Sequence, residues 1–443
     1  MKLKKLLAAG LALALTASLA ACTTPTATNT PAPATPAPNT NTEQPSTGAA
    51  TEITLWTYPI GNWGTEATVK ELTDAFTAET GIKVTVEYLA YADGDDKVNA
   101  AITAGKAPDL VMEGPERLVA NWGAGGHMVD LSDMLDDTDR SEIQASVLNA
   151  CTASTGAVYE YPLVMTAHCM AINLDAFKEA GADQYVDLTT HTWTTEQFTK
   201  AIAALNAKFG DNIGAVYCTG QGGDQGTRAL VANLYSSAGY VGADGKWNID
   251  EGGVKALKLL QDMYNKKSID AGFDMAAADE LQKFQQETAA MTICFGTSAE
   301  VTYKSDSYTQ VAVPFPSDDG KPSLEYLVNG FCVFNNKDDA RAAAAKAFIQ
   351  FICDDPTYGP KSVVATNAFP VRSSFGDLYP GDAEKSLLAS WTKYYGPYYN
   401  TQPNFAVMRT EWWNMLQRIF GGGDVAKEVA VFNKQANEAP AAK

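Results

Sequence analysis

The start of the globular region alternates strand-like and helix-like patterns, and this alternation limits the possible folds more than any other feature of the chain. Period-2 apolar patterns and short apolar runs predict strands, whereas an apolar helical face that ends at a glycine predicts a helix. Strand patterns occupy residues 52–57, 82–88 and 108–112, and helix patterns occupy residues 65–80 and 96–104. This βαβαβ order predicts an α/β fold whose parallel sheet has right-handed crossovers.

The alternation continues to the end of the chain. The globular region that begins at residue 52 is too long for one compact core, so two lobes are expected. Thr194 or Thr195 is expected to cap the next helix. Further helix patterns occupy residues 193–207, 254–264, 340–353, 409–420 and 424–433, and further strand patterns occupy residues 289–295 and 310–313.

Ligands of parallel sheets collect outside the carboxyl ends of the strands. Aromatic rings at the end of the first strand are expected either to stack on a ligand or to pack in the core. Trp63 follows Gly61-Asn62 in a loop, which favours exposure, whereas Trp56 fits either role. The candidate residues at the first and third strand ends are Trp56, Tyr58, Trp63, Glu113, Glu116 and Arg117.

The first 51 residues precede the globular region. Three lysines, a short apolar stretch and small residues predict a secretory signal peptide over residues 1–21. Residues 22–51 are rich in Thr, Pro and Ala and predict an extended, disordered linker. Cys22 follows Leu-Ala-Ala and resembles the lipobox cysteine of bacterial lipoproteins, which implies cleavage before Cys22 and lipidation of its sulfur. The alternative is an ordinary signal peptide with an unmodified cysteine.

The chain is acidic, with a formal net charge of −19 at pH 7. This charge argues against nucleic-acid binding and against electrostatic docking on anionic lipid. Apart from Cys22, six cysteines occur singly in apolar surroundings, so buried thiols and disulfides both stay open. The three histidines lack the spacing of zinc ligands, and neither a metal site nor a cofactor is predicted.

The order of several segments points to a family. Along the chain they are ITLW, GKAPDLV, YEYPLVMTAHCMAINLDAFKEAG, TWTTEQF, AAMTICFG, VAVPFP, AKAFIQFICDD and NAFPVRSS. Together with the lipobox and the linker, these segments resemble the extracellular solute-binding proteins of ABC importers. They are most similar to the carbohydrate-binding group that includes maltodextrin-binding proteins, and the resemblance covers essentially the whole globular region.

The resemblance implies a two-lobed, type II periplasmic-binding-protein fold. Two α/β lobes would be joined by three hinge crossings, near residues 164–167, 313–316 and 368–372, with the ligand in the cleft between the lobes. Lobe 1 would comprise residues 52–164 plus 317–367, and lobe 2 would comprise residues 168–312 plus 373–440.

The resemblance also implies individual ligand contacts. Glu116 and Arg117 fall where maltodextrin binders carry an acid followed by an arginine, both of which touch the sugar. Further candidates are Thr166 and His168 at the first crossing, Gln225, Thr227 and Arg228 in a glycine-rich loop, and Asn329 and Arg372 near the other crossings.

One stacking ring of the family is missing from this chain. Relatives commonly carry a tryptophan after the AAMTICF strand, whereas this chain has Gly296 and Thr297, which are the candidate ligand contacts at that position. Trp412 is expected to supply a ring instead. Adjacent helical positions point about 100° apart, so at most one of Trp412 and Trp413 should face the cleft.

These features predict a lipid-anchored monomer on the extracellular face of a Gram-positive-type cell membrane. It would capture an oligosaccharide by hinge closure and deliver it to the permease subunits of an ABC transporter, without enzymatic activity or a cofactor. One alternative is a binder of the same fold for glycerol phosphate, a polyamine or a metal. In the metal case, tyrosines at 394–395 and 398–399 would be ferric ligands, as paired tyrosines are in related iron-binding proteins. The other alternative is a surface glycosidase.

Overall fold

The structure is a computed structural model that describes residues 49–91, 93–214, 224–237, 239–275 and 277–438. The predicted signal peptide, Cys22 and most of the linker lie outside these residues. The described residues form a mixed α/β structure with two β-sheets, which confirms the predicted fold class. None of the described helices is long and apolar enough to cross a bilayer.

The two sheets are built from nine strands of the described residues. In the first sheet the strand order is β2-β1-β3-β8-β4-β9, and in the second it is β6-β5-β7. The strands are β1 (Glu52–Thr57), β2 (Lys83–Tyr88), β3 (Leu110–Glu113), β4 (Tyr161–Ala167), β5 (Cys169–Asn173), β6 (Met291–Phe295), β7 (Gln310–Val313), β8 (Tyr326–Val333) and β9 (Phe369–Pro370).

The N-terminal part of the first sheet is parallel, as the sequence pattern predicts. Strand β1 pairs in parallel with both β2 and β3. Strand β8 runs antiparallel to β3 and β4, with Glu113 opposite Gly330 and Val164 opposite Asn329. The end of β3, the start of β8 and the end of β4 therefore lie at the same edge of the sheet.

The helices begin and end at signals that are visible in the sequence. Helix α1 buries Val69 and Phe76 and ends at Gly81, whose φ of 76° is readily adopted only by glycine. Thr194 is the cap of α7, where its side chain accepts a hydrogen bond from the backbone N–H of Gln197.

The helices are α1 (Glu66–Thr80), α2 (Gly94–Thr103), α3 (Pro115–Arg117), α4 (Asp137–Glu142), α5 (Ala145–Cys151), α6 (Leu174–Ala180), α7 (Thr195–Phe209), α8 (Asp224–Leu234), α9 (Glu251–Asn265), α10 (Ala277–Gln285), α11 (Thr297–Thr302), α12 (Asp339–Cys353), α13 (Tyr358–Thr366), α14 (Ala383–Ser390), α15 (Phe405–Phe420) and α16 (Val425–Gln435).

The chain passes from one sheet to the other between consecutive strands. Strand β4 of the first sheet leads directly into β5 of the second, with His168 between them. The chain returns through residues 314–325 to β8 and leaves the first sheet again after β9. The backbone N–H of His168 donates to the carbonyl of Glu325 at 3.0 Å, so the first two passages lie side by side. Strand β4 continues to Ala167, and the lobe boundaries stay a prediction.

Four cysteines of the described residues are free thiols in the core. Cys151, Cys169, Cys332 and Cys353 are all buried, and burial raises the pKa of each thiol above its usual value. These four cysteines are therefore structural thiols and form no disulfide. Cys218 lies outside the described residues.

Candidate functional site

A cleft of about 640 Å³ opens at the shared edge of β3, β8 and β4. One side is built by the loop after β1, by α2 and by the first sheet, and the other side by α8, α11 and α15. Its volume is in the range of sites that bind small molecules. Seven predicted ligand contacts line the cleft: Glu113, Glu116, Arg117, Thr166, His168, Gln225 and Asn329.

The first wall of the cleft carries an arginine among carboxylates. Arg117 ends the short helix α3, which Pro115 starts directly after β3. Its Nη1 lies 3.3 Å from Oε1 of Glu113 and 3.7 Å from Oε1 of Glu116. Its Nε lies 2.7 Å from Oδ1 of Asp95. Three carboxylates around one guanidinium make this wall acidic, and it is called the acidic wall below.

Glu113 is a buried carboxyl group with a raised pKa. Its side chain is buried at the end of β3, where it accepts a hydrogen bond from the backbone N–H of Gly114. Burial, and then the neighbouring charge of Glu116, raise the pKa of Glu113 to about 7. A carboxyl group in this state can either donate a hydrogen bond to a ligand hydroxyl or accept one from it.

Tyr91 supplies an aromatic face on the same wall. It follows β2, is 53 % exposed and lines the cleft. Its ring stacks on that of Tyr58, with centroids 5.3 Å apart. Tyr58, a predicted ligand contact, does not line the cleft: it is fully buried and supports the ring of Tyr91 from behind.

The opposite wall combines an aromatic ring with a cation. Trp413 and Arg409 lie one turn apart on α15, and both line the cleft. The guanidinium of Arg409 is 5.8 Å from the ring centroid of Trp413. Burial, and then the charge of Arg228, lower the pKa of Arg409 to about 10. Gln225 of α8 and Ser298 of α11 add polar side chains to this wall.

Thr166 and His168 line the cleft between the two walls. Oγ1 of Thr166 lies 3.2 Å from Oγ1 of Thr297, which joins the end of β4 to α11. Burial lowers the pKa of His168, so the imidazole is neutral at physiological pH. Nε2 of His168 has no hydrogen-bond partner in the part of the chain that the structure describes.

Three predicted aromatic contacts do not reach the cleft. Trp63 is fully buried, because the 3₁₀ turn of residues 61–64 directs its ring inward and its Nε1 donates to the carbonyl of Ser362 at 3.0 Å. Trp56 is half-buried on β1 and packs against the core. Trp412 is fully buried, so the ring of this pair that lines the cleft belongs to Trp413.

Arg228 and Thr227, two further predicted contacts, do not line the cleft. Helix α8 already begins at residue 224, and it directs both side chains into the interior, where each is fully buried. Nη2 of Arg228 donates to Glu325 at 2.8 Å, and its Nε donates to the hydroxyl of Tyr399 at 3.3 Å. Residues 215–223, which include the first three residues of the glycine-rich segment 221–228, lie outside the described residues.

Arg372, Gly296 and Thr297 do not line the cleft either. Arg372 is buried, and its Nη2 donates to the hydroxyl of Tyr161 at 2.7 Å and to Asp354 at 2.5 Å. Thr297 is buried at the start of α11, and Gly296 flanks that helix. The next residue, Ser298, takes the position on the cleft.

Sequence reasoning missed five charged, aromatic or serine side chains of the cleft. Tyr91 and Asp95 follow β2, and the rule about carboxyl ends of strands would have identified them if it had been applied to that strand as well. Arg409 lies four residues before Trp413 and shares its helical face. No feature of the sequence around Ser298 predicts that its side chain lines the cleft. The missed residues are Tyr91, Asp95, Ser298, Arg409 and Trp413.

The geometry gives no support to a metal site. Across the described ranges, no group of His, Cys, Asp and Glu side chains is arranged to hold a metal ion. The paired tyrosines have other roles: Tyr395 stacks on Tyr326 with centroids 5.1 Å apart, and the hydroxyl of Tyr399 donates to Glu325. Tyr398 points its hydroxyl at Glu116, 3.5 Å away.

Comparison with known proteins identifies the family. Residues 62–356 match the family described as bacterial extracellular solute-binding protein. The chain belongs to this family. The family predicted from the sequence segments is therefore confirmed for this solute-binding protein.

Curated relatives match this solute-binding protein over part of their length. A maltooligosaccharide ABC transporter solute-binding lipoprotein of Streptococcus pneumoniae strain R6 is 26% identical over 220 residues, which is 44% of this chain and 48% of the relative. A lipoprotein of the same description from Streptococcus pneumoniae serotype 4 is 30% identical over 142 residues, or 31% of each chain. The chain thus spans about half or less of the length of these relatives.

Solved structures share the fold of this solute-binding protein over almost their whole length. The GacH receptor of Streptomyces glaucescens, solved unliganded and with acarbose, has a TM-score of 0.70 at 16% identity and covers 88% of this chain and 98% of its own. The maltotriose binding protein of Thermus thermophilus has a TM-score of 0.68 at 20% identity and covers 87% and 98%. The sugar-binding protein MalE of Xanthomonas citri has a TM-score of 0.71 at 15% identity and covers 87% and 96%. These likenesses establish the fold.

Proposed function

We propose that this solute-binding protein captures an oligosaccharide in the cleft and delivers it to the permease of an ABC transporter. The observation that carries the proposal is that each wall of the cleft presents an aromatic ring, Tyr91 on one and Trp413 on the other, beside charged side chains. Sugars have flat C–H faces and rims of hydroxyl groups. Aromatic rings cover such faces, and charged groups form strong hydrogen bonds with the hydroxyls.

The hydroxyl-binding groups would come from both walls. Arg117, Glu116 and Asn329 offer donors and acceptors on the acidic wall, and Arg409 and Gln225 offer them on the other. A buried polar group left unpaired costs ~1–3 kcal/mol, so these groups would select the sugar isomer more than they add affinity. The curated maltooligosaccharide lipoproteins and the sugar-binding structures support an oligosaccharide as the ligand class.

Binding would stabilise a closed form of the molecule. A ligand that touches both walls gains contacts only when the walls approach each other, and this difference shifts the population towards closure. The passages at His168 and at residues 314–325 would act as hinges. The closed protein would then dock on the permease as a monomer, held at the extracellular face by a lipid on Cys22, and it would need neither a cofactor nor catalytic groups.

The negative charge of the acidic wall favours some of the alternative ligands over others. Asp95, Glu113 and Glu116 surround Arg117 and would repel a phosphate such as glycerol phosphate. The same carboxylates would attract a polyamine, which is therefore the second candidate ligand.

The test is a binding survey with the full mature protein. Titration calorimetry and tryptophan fluorescence would be recorded with oligosaccharides, monosaccharides, polyols, glycerol phosphate and spermidine. We expect at least one oligosaccharide to bind with 1:1 stoichiometry and to change the fluorescence, because Trp413 lines the cleft. Binding of spermidine alone would favour the second candidate, and a folded protein that binds no sugar would contradict the proposal. Chromatography of the bound sugar after incubation would separate a receptor, which returns it intact, from a glycosidase.

A further inference from the structure

Asp95 connects the polar and the aromatic parts of the acidic wall. It lies in the first turn of α2, and its Oδ1 accepts hydrogen bonds from Nε of Arg117 at 2.7 Å and from the hydroxyl of Tyr58. The guanidinium of Arg117 lies over both stacked tyrosine rings, 5.0 Å from the centroid of Tyr58 and 5.5 Å from that of Tyr91. Removal of Asp95 would therefore release an arginine and loosen an aromatic stack together.

The hydrogen bonds of Arg117 leave one side of its guanidinium for a ligand. A guanidinium carries five N–H donors in a rigid plane. Asp95 takes Nε, while Glu113 and Glu116 face Nη1. Within the described residues no hydrogen bond uses Nη2, and the Arg117 side chain keeps 17% of its surface exposed on the cleft wall.

Two of the three carboxylates that pair with Arg117, Glu113 and Asp95, differ in their environment. Glu113 is buried, and its pKa of about 7 means that its charge, and with it the attraction to Nη1, changes around neutral pH. Asp95 lies closer to the guanidinium and its side chain is 44% exposed, so it loses less solvation than a buried carboxylate. A fixed arginine also loses less side-chain entropy when it binds a ligand than a mobile one does.

We propose that Asp95 is a positioning residue of this cleft. It holds the Arg117 guanidinium in the plane that presents Nη2 to a sugar hydroxyl, and it ties the Tyr58–Tyr91 stack to the same point. The inference rests on the proposed sugar-binding function and deepens it, because it assigns the orientation of the arginine to a residue on a different element.

A double-mutant cycle tests whether Asp95 acts through Arg117. The affinity for the sugar found in the survey would be measured for Asp95→Ala, Arg117→Ala and the double variant. We expect Asp95→Ala to weaken binding by about 5- to 30-fold, and we expect no further loss when it is added to Arg117→Ala. Asp95→Asn serves as a second variant if the alanine protein does not fold, since it keeps the shape but removes the charge.

Asp96→Ala is the matched control. Asp96 is the next residue of the same helix turn, is exposed and carries the same charge. Its removal should leave the sugar affinity within about twofold of the unmodified protein. An equal loss in Asp96→Ala and Asp95→Ala would show that general charge matters and would overturn the positioning role.

A second measurement does not depend on any ligand. In the unliganded protein labelled with ¹⁵N-arginine, the Nε–H signal of Arg117, assigned from its absence in Arg117→Ala, should exchange slowly with water. It should exchange faster in Asp95→Ala and stay unchanged in Asp96→Ala.

The outcomes separate the two proposals. Additive losses in the cycle, or an unaltered Nε–H signal in Asp95→Ala, would overturn the positioning role while sugar binding by the unmodified protein still supports the proposed function. If the unmodified protein bound no sugar, the proposed function would fail and the role of Asp95 in sugar binding would fail with it, even if the signal showed that Asp95 holds Arg117.

Discussion

Nη2 of Arg228 lies 2.8 Å from the carboxylate of Glu325, and both side chains are buried. Arg228 belongs to α8, whereas Glu325 lies in the passage that returns the chain to the first sheet. The hydroxyl of Tyr399 contacts both side chains. This group therefore fastens α8 to that passage, which gives a buried arginine a structural role where the sequence suggested a ligand contact.

The first prediction concerns that ion pair. Replacement of Arg228 by Met should lower the free energy of unfolding by about 3–5 kcal/mol, because Glu325 would stay buried without its partner. Urea denaturation followed by circular dichroism would measure the loss. Lys200→Met is the control, since the Lys200–Glu196 pair is exposed on one helix and should contribute less than about 1 kcal/mol. If the Arg228→Met protein were stable but no longer bound sugar, the result would instead support a contact between Arg228 and the ligand.

The second prediction uses the neighbouring tryptophans of α15. Trp413 lines the cleft, whereas Trp412 is fully buried. Trp413→Ala should therefore weaken sugar binding at least about tenfold with little change in stability, since it removes a stacking face. Trp412→Ala should destabilise the fold by about 3–5 kcal/mol because it leaves a cavity. Calorimetric titration and thermal unfolding of both variants would measure the two effects, and the reverse pattern would place Trp412 at the ligand.

The third prediction is a dependence of stability on pH through Glu160. This residue is fully buried, and neither carboxylate oxygen has a hydrogen-bond partner in the described part of the chain. Burial, and then Glu116 and Glu113, raise the pKa of Glu160 well above its ordinary value of 4.5. The folded protein keeps a proton that the unfolded chain releases above pH 4.5, so stability should fall as the pH rises beyond that value.

Glu160→Gln isolates this effect, because it keeps the shape of the side chain and stays neutral. The variant should show a smaller loss of unfolding free energy between acidic and mildly alkaline pH, as measured by urea denaturation. Glu113, with a pKa of about 7, contributes a decline in the same direction that should persist in the variant. Glu79→Gln, at an exposed position, is the control. A decline as steep in Glu160→Gln as in the unmodified protein would contradict the prediction.

The fourth prediction concerns anionic sugars. The acidic wall should disfavour a uronic acid relative to the neutral sugar of the same stereochemistry, by about tenfold or more at low ionic strength. Glu116→Gln should reduce the difference in affinity between the two sugars, because it removes one of the three carboxylates. Competition titrations would measure both ratios, with Glu87→Gln as control, since the exposed Glu87 pairs with Lys97 and does not line the cleft. Equal affinity of the unmodified protein for both sugars would contradict the prediction.

Local patterns were enough to place most of the secondary structure. The strand and helix predicted for residues 52–57 and 65–80 correspond to β1 and α1, and the helix predicted for residues 340–353 corresponds to α12. These elements follow from side-chain periodicity and from terminal signals such as Gly81, which act over a few residues. Local patterns could not predict that β8 lies antiparallel between β3 and β4. That position depends on pairing between residues more than 150 apart in the chain, such as Met165 and Val328.

The site was predicted in part for the same reason. Glu113, Glu116 and Arg117 follow directly after a strand, so their place at the sheet edge could be expected. The sequence around Trp63 and Arg228 also suggested ligand contacts. In the structure, the Trp63 ring points inward and bonds to Ser362, and the Arg228 guanidinium bonds to Glu325. Which way a side chain faces at the end of an element depends on partners far away in the chain.

The amino-acid sequence by itself determined that the globular region is an α/β protein, that it belongs to the solute-binding family and that charged residues follow β3. Those properties follow from the periodicity of apolar side chains over a few residues and from the order of segments along the chain. Only the tertiary structure decided that Tyr91, Asp95, Arg409 and Trp413 line the cleft while Tyr58, Trp412 and Arg228 lie behind it. Burial depends on how elements that are distant in the chain pack against one another. An aromatic or charged side chain that could bind a ligand can equally well bind a partner within the protein, so its chemistry alone does not decide between the two.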